Sequence, residues 1–371
     1  MSDPQTLEKA LVALRARCPV ILIDDASRQH SAYFVADAAT ITPEDISYMV
    51  NHGRGIICAA VAESKIKELG LPMMASRSEL NSPDFTVSVE ARQGVTTGIS
   101  AADRACTLRT LATTRQPRHD LVTPGHIFPL RAKSGGVLVR NSAAEAAADL
   151  LRLAVSGHIA ALCECLNFKG DILSDPDIQS LIESTRLPAV SISDITRHRL
   201  AFETIVERIA KATLPVRGAG EFEAHCFRSK IDDAEHLALV KGDLSLLDTQ
   251  GLQVPVLTRV QAEHRMSDLL GSHELRSRKR MHAALQQISA TGRGVFIYVR
   301  HPRQGTLREQ TGDGKPAPSL ASEIREHGIG AQILRELGVK RIQLLSNVTR
   351  DIAGINAFQL EIVGQEKLAE K

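Results

Sequence analysis

Through its first 200 residues the chain alternates between two hydrophobic periods, and this alternation limits its fold more than any other feature. Residues 6–17 (TLEKALVALRAR) carry the 3.6-residue period of an amphipathic helix, and 19–24 (PVILID) read as a buried strand. Thr42-Pro43-Glu44-Asp45 is a helix start: the hydroxyl caps free N–H groups, proline suits the first turn, and the acids favour the positive end of the dipole. That helix should stop at His52-Gly53. Strands are then expected at GRGIICAAV, FTVSVEAR, IAALCECL and PAVSIS, with helices over AAEAAADLLRLAV and near 176–184. Alternation of this kind predicts an α/β domain built on one sheet.

The pattern changes after residue 200. Residues 198–214 (HRLAFETIVERIAKATL) read as a helix, which Pro215, Gly218 and Gly220 then interrupt. The boundary is expected at about 205–215, which divides the chain into domains 1–208 and 209–371. The second domain opens with GEFEAHCFRS and HLALVKGDL, alternating strands of an antiparallel meander. Helices near 275–291 and 321–337, strands GVFIYVR and RIQLLSN, and a Gly/Pro-rich loop at 303–320 complete an α+β reading.

Composition narrows function mainly by exclusion. With 45 basic and 43 acidic residues the net charge is +2, so the overall balance favours neither nucleic acid nor an anionic membrane. No apolar run is long enough to cross a bilayer and the N-terminus lacks the apolar region of a signal peptide, giving an expectation of a cytoplasmic protein. The six cysteines have no framework spacing and read as reduced, mostly core-packing thiols. Aromatics are 3% with no Trp, which argues against base-stacking surfaces. Gly328-Ile329-Gly330 lacks the spacing of a dinucleotide fingerprint and reads as a helix start packed closely on a sheet. The basic run RSRKR at 276–280 reads as a solvated helix face.

Several stretches carry chemistry. In order they are Asp24-Asp25, HGRGIIC at 52–58, FTVSV at 85–89, GVTTGISAADRA at 94–105, PGHIFPL at 124–130, GGVLVR at 135–140, EAAADL at 145–150 and Cys163-Glu164. This half resembles 3,4-dihydroxy-2-butanone 4-phosphate synthase, whose members bind ribulose 5-phosphate with magnesium. The resemblance implies that His126 and Glu164 are the proton-transfer pair and that Arg28 and Arg140 contact the sugar phosphate. It also implies a homodimer that shares its active site.

The departures fall on the metal. Where the family reads D-R-E-N-E-G-D, this chain has Ser27-Arg28-Gln29-His30-Ser31-Ala32-Tyr33. The metal-binding Glu is Gln29, the second Glu is Ser31, and the substrate-contacting Asp is Tyr33. The R-A-G-H-T stretch is Arg140-Asn141-Ser142-Ala143-Ala144, so Ala143 replaces the metal-binding His. Hard divalent cations need anionic oxygen, so a lost magnesium site is expected.

The second half, with EHLALVKGD at 235–243, PVLTRV at 255–260, GRGVFIYVR at 292–300 and GIGAQILRELGVKRIQLLSN at 328–347, resembles GTP cyclohydrolase II. That family holds zinc with three cysteines in E-C-L-T-G-D and R-C-D-C-G stretches. Here the first is Glu263-His264-Arg265-Met266-Ser267-Asp268, the second aligns with Glu274-Leu275-Arg276-Ser277-Arg278, and neither holds a cysteine. His264 and His273 offer imidazoles without a third soft ligand, so a lost zinc site is expected. Glu323 and Arg325 stand where the family has its Asp base and Arg, and Asp351 replaces a Lys expected near nucleotide phosphate.

The expectation for function is a riboflavin-biosynthesis homologue that has lost both metal-dependent reactions, keeps no metal cofactor, and binds a phosphate ligand or regulates an active paralogue. The competing expectation is an enzyme acting on ribulose 5-phosphate or a related sugar phosphate through Arg28, His126, Arg140 and Glu164.

Overall fold

The computed structural model describes residues 5–25, 29–74, 83–157, 159–270, 276–300, 320–347 and 358–369. Arg28, His273, Asp351 and nearly all of the 303–320 loop lie outside these, as does the side chain of Glu323. Contacts divide the chain into two compact units, the first Met1–Thr196 and the second beginning at Arg197.

The first unit contains strands β1 (Val20–Asp24), β2 (Ser31–Asp37), β3 (Arg54–Ala62), β4 (Val89–Ala91), β5 (Leu121–Ala132), β6 (Ile159–Cys165) and β7 (Ala189–Ser191). Its helices are α1 (Gln5–Arg15), α2 (Pro43–Gly53), α3 (Glu63–Leu69), α4 (Ala101–Thr113), α5 (Pro117–Asp120), α6 (Ala143–Val155) and α7 (Asp175–Thr185), and α8 (Ile192–Phe202) begins at its end. The strands form one mixed sheet in the order β4-β5-β3-β6-β2-β1-β7. Ile21, Phe34, Ile57, Ile127 and Cys163 face one side and pack against Ile46 and Met49 of α2, Leu108 of α4 and Ile178 of α7. Helices α1 and α6 cover the other side. Helix α2 starts as its sequence dictates: Thr42 accepts from the Asp45 N–H and Asp45 returns the bond, a full capping box. Helix α6 spans the 143–155 stretch expected of it. The FTVSVEAR strand is shorter than its alternation predicts, because only Val89–Ala91 pair continuously and Phe85 and Thr86 make isolated bridges.

The second unit continues with β8 (Val206–Val216), β9 (Gly220–Ser229), β10 (Glu235–Lys241), β11 (Val256–Ala262), β12 (Gly294–Val299), β13 (Arg341–Leu345) and β14 (Glu361–Glu366). Its further helices are α9 (Arg265–Leu270), α10 (Ser277–Thr291) and α11 (Leu320–Glu336). The sheet order is β14-β13-β11-β12-β10-β9-β8, with β8, β9 and β10 the expected antiparallel meander.

The structure corrects one helix. The 198–214 stretch is helical only to Phe202, and from Val206 it is an edge strand paired with β9. Glu, Ala, Lys and Arg give it helical propensity, but cross-strand pairing along β9 outweighs that preference. The glycines of Gly328-Ile329-Gly330 lie inside α11 and not at its start. A methyl on Gly328 would reach within 2.6 Å of Leu200, and one on Gly330 within 3.0 Å of Val260 on β11. Close approach of the helix to its neighbours explains both residues.

Candidate functional site

Strand pairing gathers the chemistry of the first unit onto one face. Tyr33 pairs with Glu164 and with Leu22, and Cys58 pairs with Leu162 and Phe128. Side chains alternate along a strand, so Asp24, Tyr33, Cys58 and Glu164 share the sheet face that carries α1 and α6, whereas His126 lies further along β5, beside the turn that opens α4. Cys163 and Cys165 flank Glu164 but point into the opposite core, where burial pushes the Cys163 thiol up to about 11. Burial also raises Cys58, to about 12, with Cys163 and Glu164 adding to it. These three thiols are therefore protonated and weakly nucleophilic.

His126 is held by a residue that the sequence motifs did not single out. Its Nδ1 lies 2.7 Å from Glu90 Oε2, and its backbone N–H donates to the same oxygen at 3.1 Å. The other Glu90 oxygen accepts from the Thr107 hydroxyl at 2.6 Å. A carboxylate at Nδ1 favours the Nδ1–H tautomer and leaves Nε2 as the basic nitrogen. Gly98, at φ +85°, lies over this pair, and a side chain there would collide with both the carboxylate and the imidazole. The surrounding turn is fixed by Asp103, which accepts from the Thr96 hydroxyl at 2.9 Å and the Gly98 N–H at 3.0 Å. An acid inside an otherwise apolar strand was the signal for Glu90.

Glu164 has a different partner. The Tyr33 phenol donates to Glu164 Oε1 at 3.2 Å, and no hydrogen bond joins His126 to Glu164 among the described residues. Burial raises the Tyr33 pKa well above the usual phenol range, and the carboxylates of Glu164 and Asp24 raise it further, so the phenol stays a neutral donor.

Arg140 is neither a free phosphate fork nor a solvated surface cation. Its side chain is 11% exposed and lies 2.7 Å from Glu145, itself 0% exposed. It also donates to the Arg131 carbonyl at 3.1 Å and reaches Asp84 at 3.3 Å. Asp84 is shared with Arg131 at 2.9 Å and Lys133 at 4.0 Å. Partial burial would raise the Asp84 carboxyl, but the Arg131 hydrogen bond and the three cations hold it below its ordinary value. Glu145, an acid among buried alanines of α6, opens the EAAADL stretch, but the motif gave it no role.

The residues aligned with the family's metal ligands supply no anionic oxygen. Gln29 is exposed, Ser31 is a buried hydroxyl, and Ala143 presents a buried methyl where the relatives' imidazole would be. Of the carboxylates on this face, Glu164 is bonded to Tyr33.

In the second unit a polar knot fills the zinc segment. Asp268 accepts from the Tyr298 hydroxyl at 2.6 Å, the His264 N–H at 2.7 Å and the Ser277 hydroxyl at 2.5 Å. His264 Nδ1 accepts from the Ser267 N–H at 3.2 Å, the Ser267 hydroxyl accepts from Ser277 N–H, and Gln261 donates to the Ser277 hydroxyl at 3.0 Å. His264 is thus used within the knot, and residues 263–278 contain no cysteine. Among the described residues no three His, Cys, Asp or Glu side chains cluster in metal-holding geometry. The RSRKR run opens α10, with Arg276, Arg278 and Lys279 exposed.

Glu323 and Arg325 both lie on α11, but only Arg325 has a described side chain. Arg325 is ion-paired with Asp232, whose side chain is 4% exposed. Burial raises this carboxyl, yet Arg325 and hydrogen bonds from Ser229 and Ala234 outweigh it and leave the pKa lowered. Among the described residues no helix is long and apolar enough to cross a membrane.

Comparison with known proteins agrees with this two-unit architecture. Residues 8–198 match the family model of 3,4-dihydroxy-2-butanone 4-phosphate synthase, and 207–367 match that of GTP cyclohydrolase II. The riboflavin biosynthesis protein RibBA of Salinispora arenicola is 39% identical, the match covering 98% of this chain and 88% of the relative. RibBA of Bacillus subtilis is 37% identical over 96% of this chain and 91% of its own length. Among solved structures, RibBX from A. baumannii, a two-domain 3,4-dihydroxy-2-butanone 4-phosphate synthase, superposes with a TM-score of 0.81 at 30% identity. It covers 98% of this chain and 99% of its own. A 3,4-dihydroxy-2-butanone 4-phosphate synthase solved with two magnesium ions gives 0.50 at 32% identity, over 53% of this chain and 97% of that one. The chain belongs to the family of fused 3,4-dihydroxy-2-butanone 4-phosphate synthase and GTP cyclohydrolase II proteins of riboflavin biosynthesis.

Proposed function

We propose that this riboflavin-biosynthesis homologue has lost both metal-dependent reactions of its relatives and serves as a phosphate-ligand-binding or regulatory protein. The observation that carries this reading is the Tyr33–Glu164 hydrogen bond. A bulky neutral phenol occupies the carboxylate that the family resemblance assigns to proton transfer, and Gln29, Ser31 and Ala143 stand at the positions aligned with metal ligands. The polar knot on Asp268 supports the same reading for the second unit, where Arg325 is also committed to Asp232. Ring opening of GTP has no zinc-bound water to drive it on this reading. A homodimer, an active paralogue as regulated partner and a cytoplasmic location complete the proposal.

A second reading has its own support. His126, aligned by Glu90 with Nε2 left basic, is the arrangement of a general base, so the first unit would act on ribulose 5-phosphate or a related sugar phosphate without magnesium. One measurement separates the two. Ribulose 5-phosphate, with and without magnesium, is titrated against thermal unfolding while its consumption is followed in the same samples. The ligand-binding reading expects a magnesium-independent rise that grows as RT ln(1 + [L]/Kd) with no turnover. Turnover abolished by His126→Ala would establish the second reading, and neither shift nor turnover would remove both.

A further inference from the structure

Two leucines at the end of α9 face solvent. Leu269 and Leu270 are 72% and 73% exposed, whereas Ser267 and Asp268 of the same helix are buried. Those two buried residues fix α9 to α10: Ser277 N–H donates to Ser267 Oγ at 3.0 Å, and its hydroxyl donates to Asp268. Arg278 donates to the Leu269 carbonyl at 3.4 Å, which brings its guanidinium beside the pair. Arg276, just before α10, and Lys279 are exposed and three positions apart, the spacing of neighbours on one helix side. Among the described residues none of these three cations is ion-paired with an acid. The acids at hand are already used, since Glu263 pairs with Arg265 and Arg300 and Asp268 belongs to the knot. A single exposed leucine needs no explanation. Two adjacent ones, rigidly presented among three unpaired cations, mark a docking surface.

We propose that Leu269, Leu270, Arg276, Arg278 and Lys279 dock an acidic segment of a partner protein that carries apolar side chains. This rests on the regulatory reading given above and deepens it, naming the surface that meets a partner and the partner's chemistry. Charge complementarity selects the acids, and the leucines select apolar anchors between them. Because hydrogen bonds already fix α9 to α10, docking orders little of this surface and loses little entropy. An anionic bilayer is the poorer match: such surfaces are held by clusters of about four to eight cations. This patch offers three, in a chain whose net charge is +2. Nucleic acid is poorer still, because leucines offer bases no stacking face.

The experiment follows the anisotropy of a labelled helical peptide, with Leu at i, i+3, i+4 and i+7 and Glu elsewhere, titrated with the full chain. Two comparators replace every Glu by Gln or every Leu by Ser. The acidic leucine peptide should bind, and each comparator should bind about tenfold more weakly. Leu269→Ser with Leu270→Ser should weaken the acidic peptide about tenfold. Arg276→Gln with Lys279→Gln should weaken it about fivefold, a loss that shrinks as salt rises. All four side chains are exposed, so the unfolding midpoint should stay at the native value. Leu269→Ala with Leu270→Ala gives a second test of the apolar pair. Absence of binding by the native chain overturns the proposal, as does affinity unchanged in the leucine variants or equal affinity for the Ser comparator. A lowered midpoint in both leucine pairs also overturns it, since the leucines would then be packing residues. Vesicles containing phosphatidylserine, or single-stranded RNA, bound in place of the peptide would assign the surface to a membrane or to RNA and reject a protein partner. Turnover of ribulose 5-phosphate alongside leucine-dependent peptide binding would remove the reading of lost reactions and leave this one standing. A ligand-induced thermal shift without peptide binding would do the reverse.

Discussion

Several charges that the family resemblance assigns to chemistry carry structural partners in this chain. Arg325 illustrates this, since its guanidinium is taken by Asp232, a nearly buried carboxylate. Because Arg325 and the local hydrogen bonds lower the folded pKa of Asp232, the folded state binds its proton more weakly than the unfolded chain does. The pair therefore stabilises the fold fully above the unfolded carboxyl value of about 3.9, and that contribution is lost as pH falls through the depressed folded value. Asp232→Asn should cost about 3 kcal/mol at neutral pH, since it leaves Arg325 without its counter-charge. The variant should also show a shallower loss of stability in acid than the native chain. Urea unfolding of both proteins between pH 7 and pH 2 checks this, and parallel acid limbs would disprove the assignment.

At the scale of elements, the strand-to-helix turn before α4 ties sequence to site. Gly98 is required there twice, by its positive φ and by the His126–Glu90 pair beneath it. Gly98→Ala should destabilise the first unit by about 2–4 kcal/mol, the sum of left-handed strain and a displaced buried hydrogen bond. A denaturant midpoint unchanged from the native chain would refute this. Such elements were legible in sequence wherever local and tertiary preferences agree. Helix α2 has its capping box written in Thr42 and Asp45, and α6 has uninterrupted Ala and Leu propensity. Strand β8 was illegible because its residues favour a helix and its pairing partner β9 lies beyond a turn. The site was legible as residues and not as contacts. His126 and Glu164 could be named from motifs, but Glu90, Asp84 and Glu145, which fix what His126 and Arg140 do, are distant in sequence or hidden in apolar stretches.

At the scale of the whole chain, the second unit has its own brace in the segment that aligns with the family's zinc ligands. In proteins with structural zinc, metal binding is folding free energy, and chelators unfold them. Here the corresponding segment is joined by side chains: Asp268 ties the start of α9 to Tyr298 on β12 and to Ser277 at the first turn of α10. These bonds use protein groups alone, so on the proposed reading stability does not depend on a cation. Excess EDTA should leave the unfolding temperature of the full chain unchanged, and elemental analysis should find neither zinc nor magnesium in stoichiometric amount. Asp268→Asn should instead lower stability by about 2–3 kcal/mol, because the amide cannot accept from three donors as a carboxylate does. A chelator-induced fall of several degrees, or zinc at one equivalent, would mean that the knot is not the strut and that the loss of cysteine ligands has been compensated by other residues.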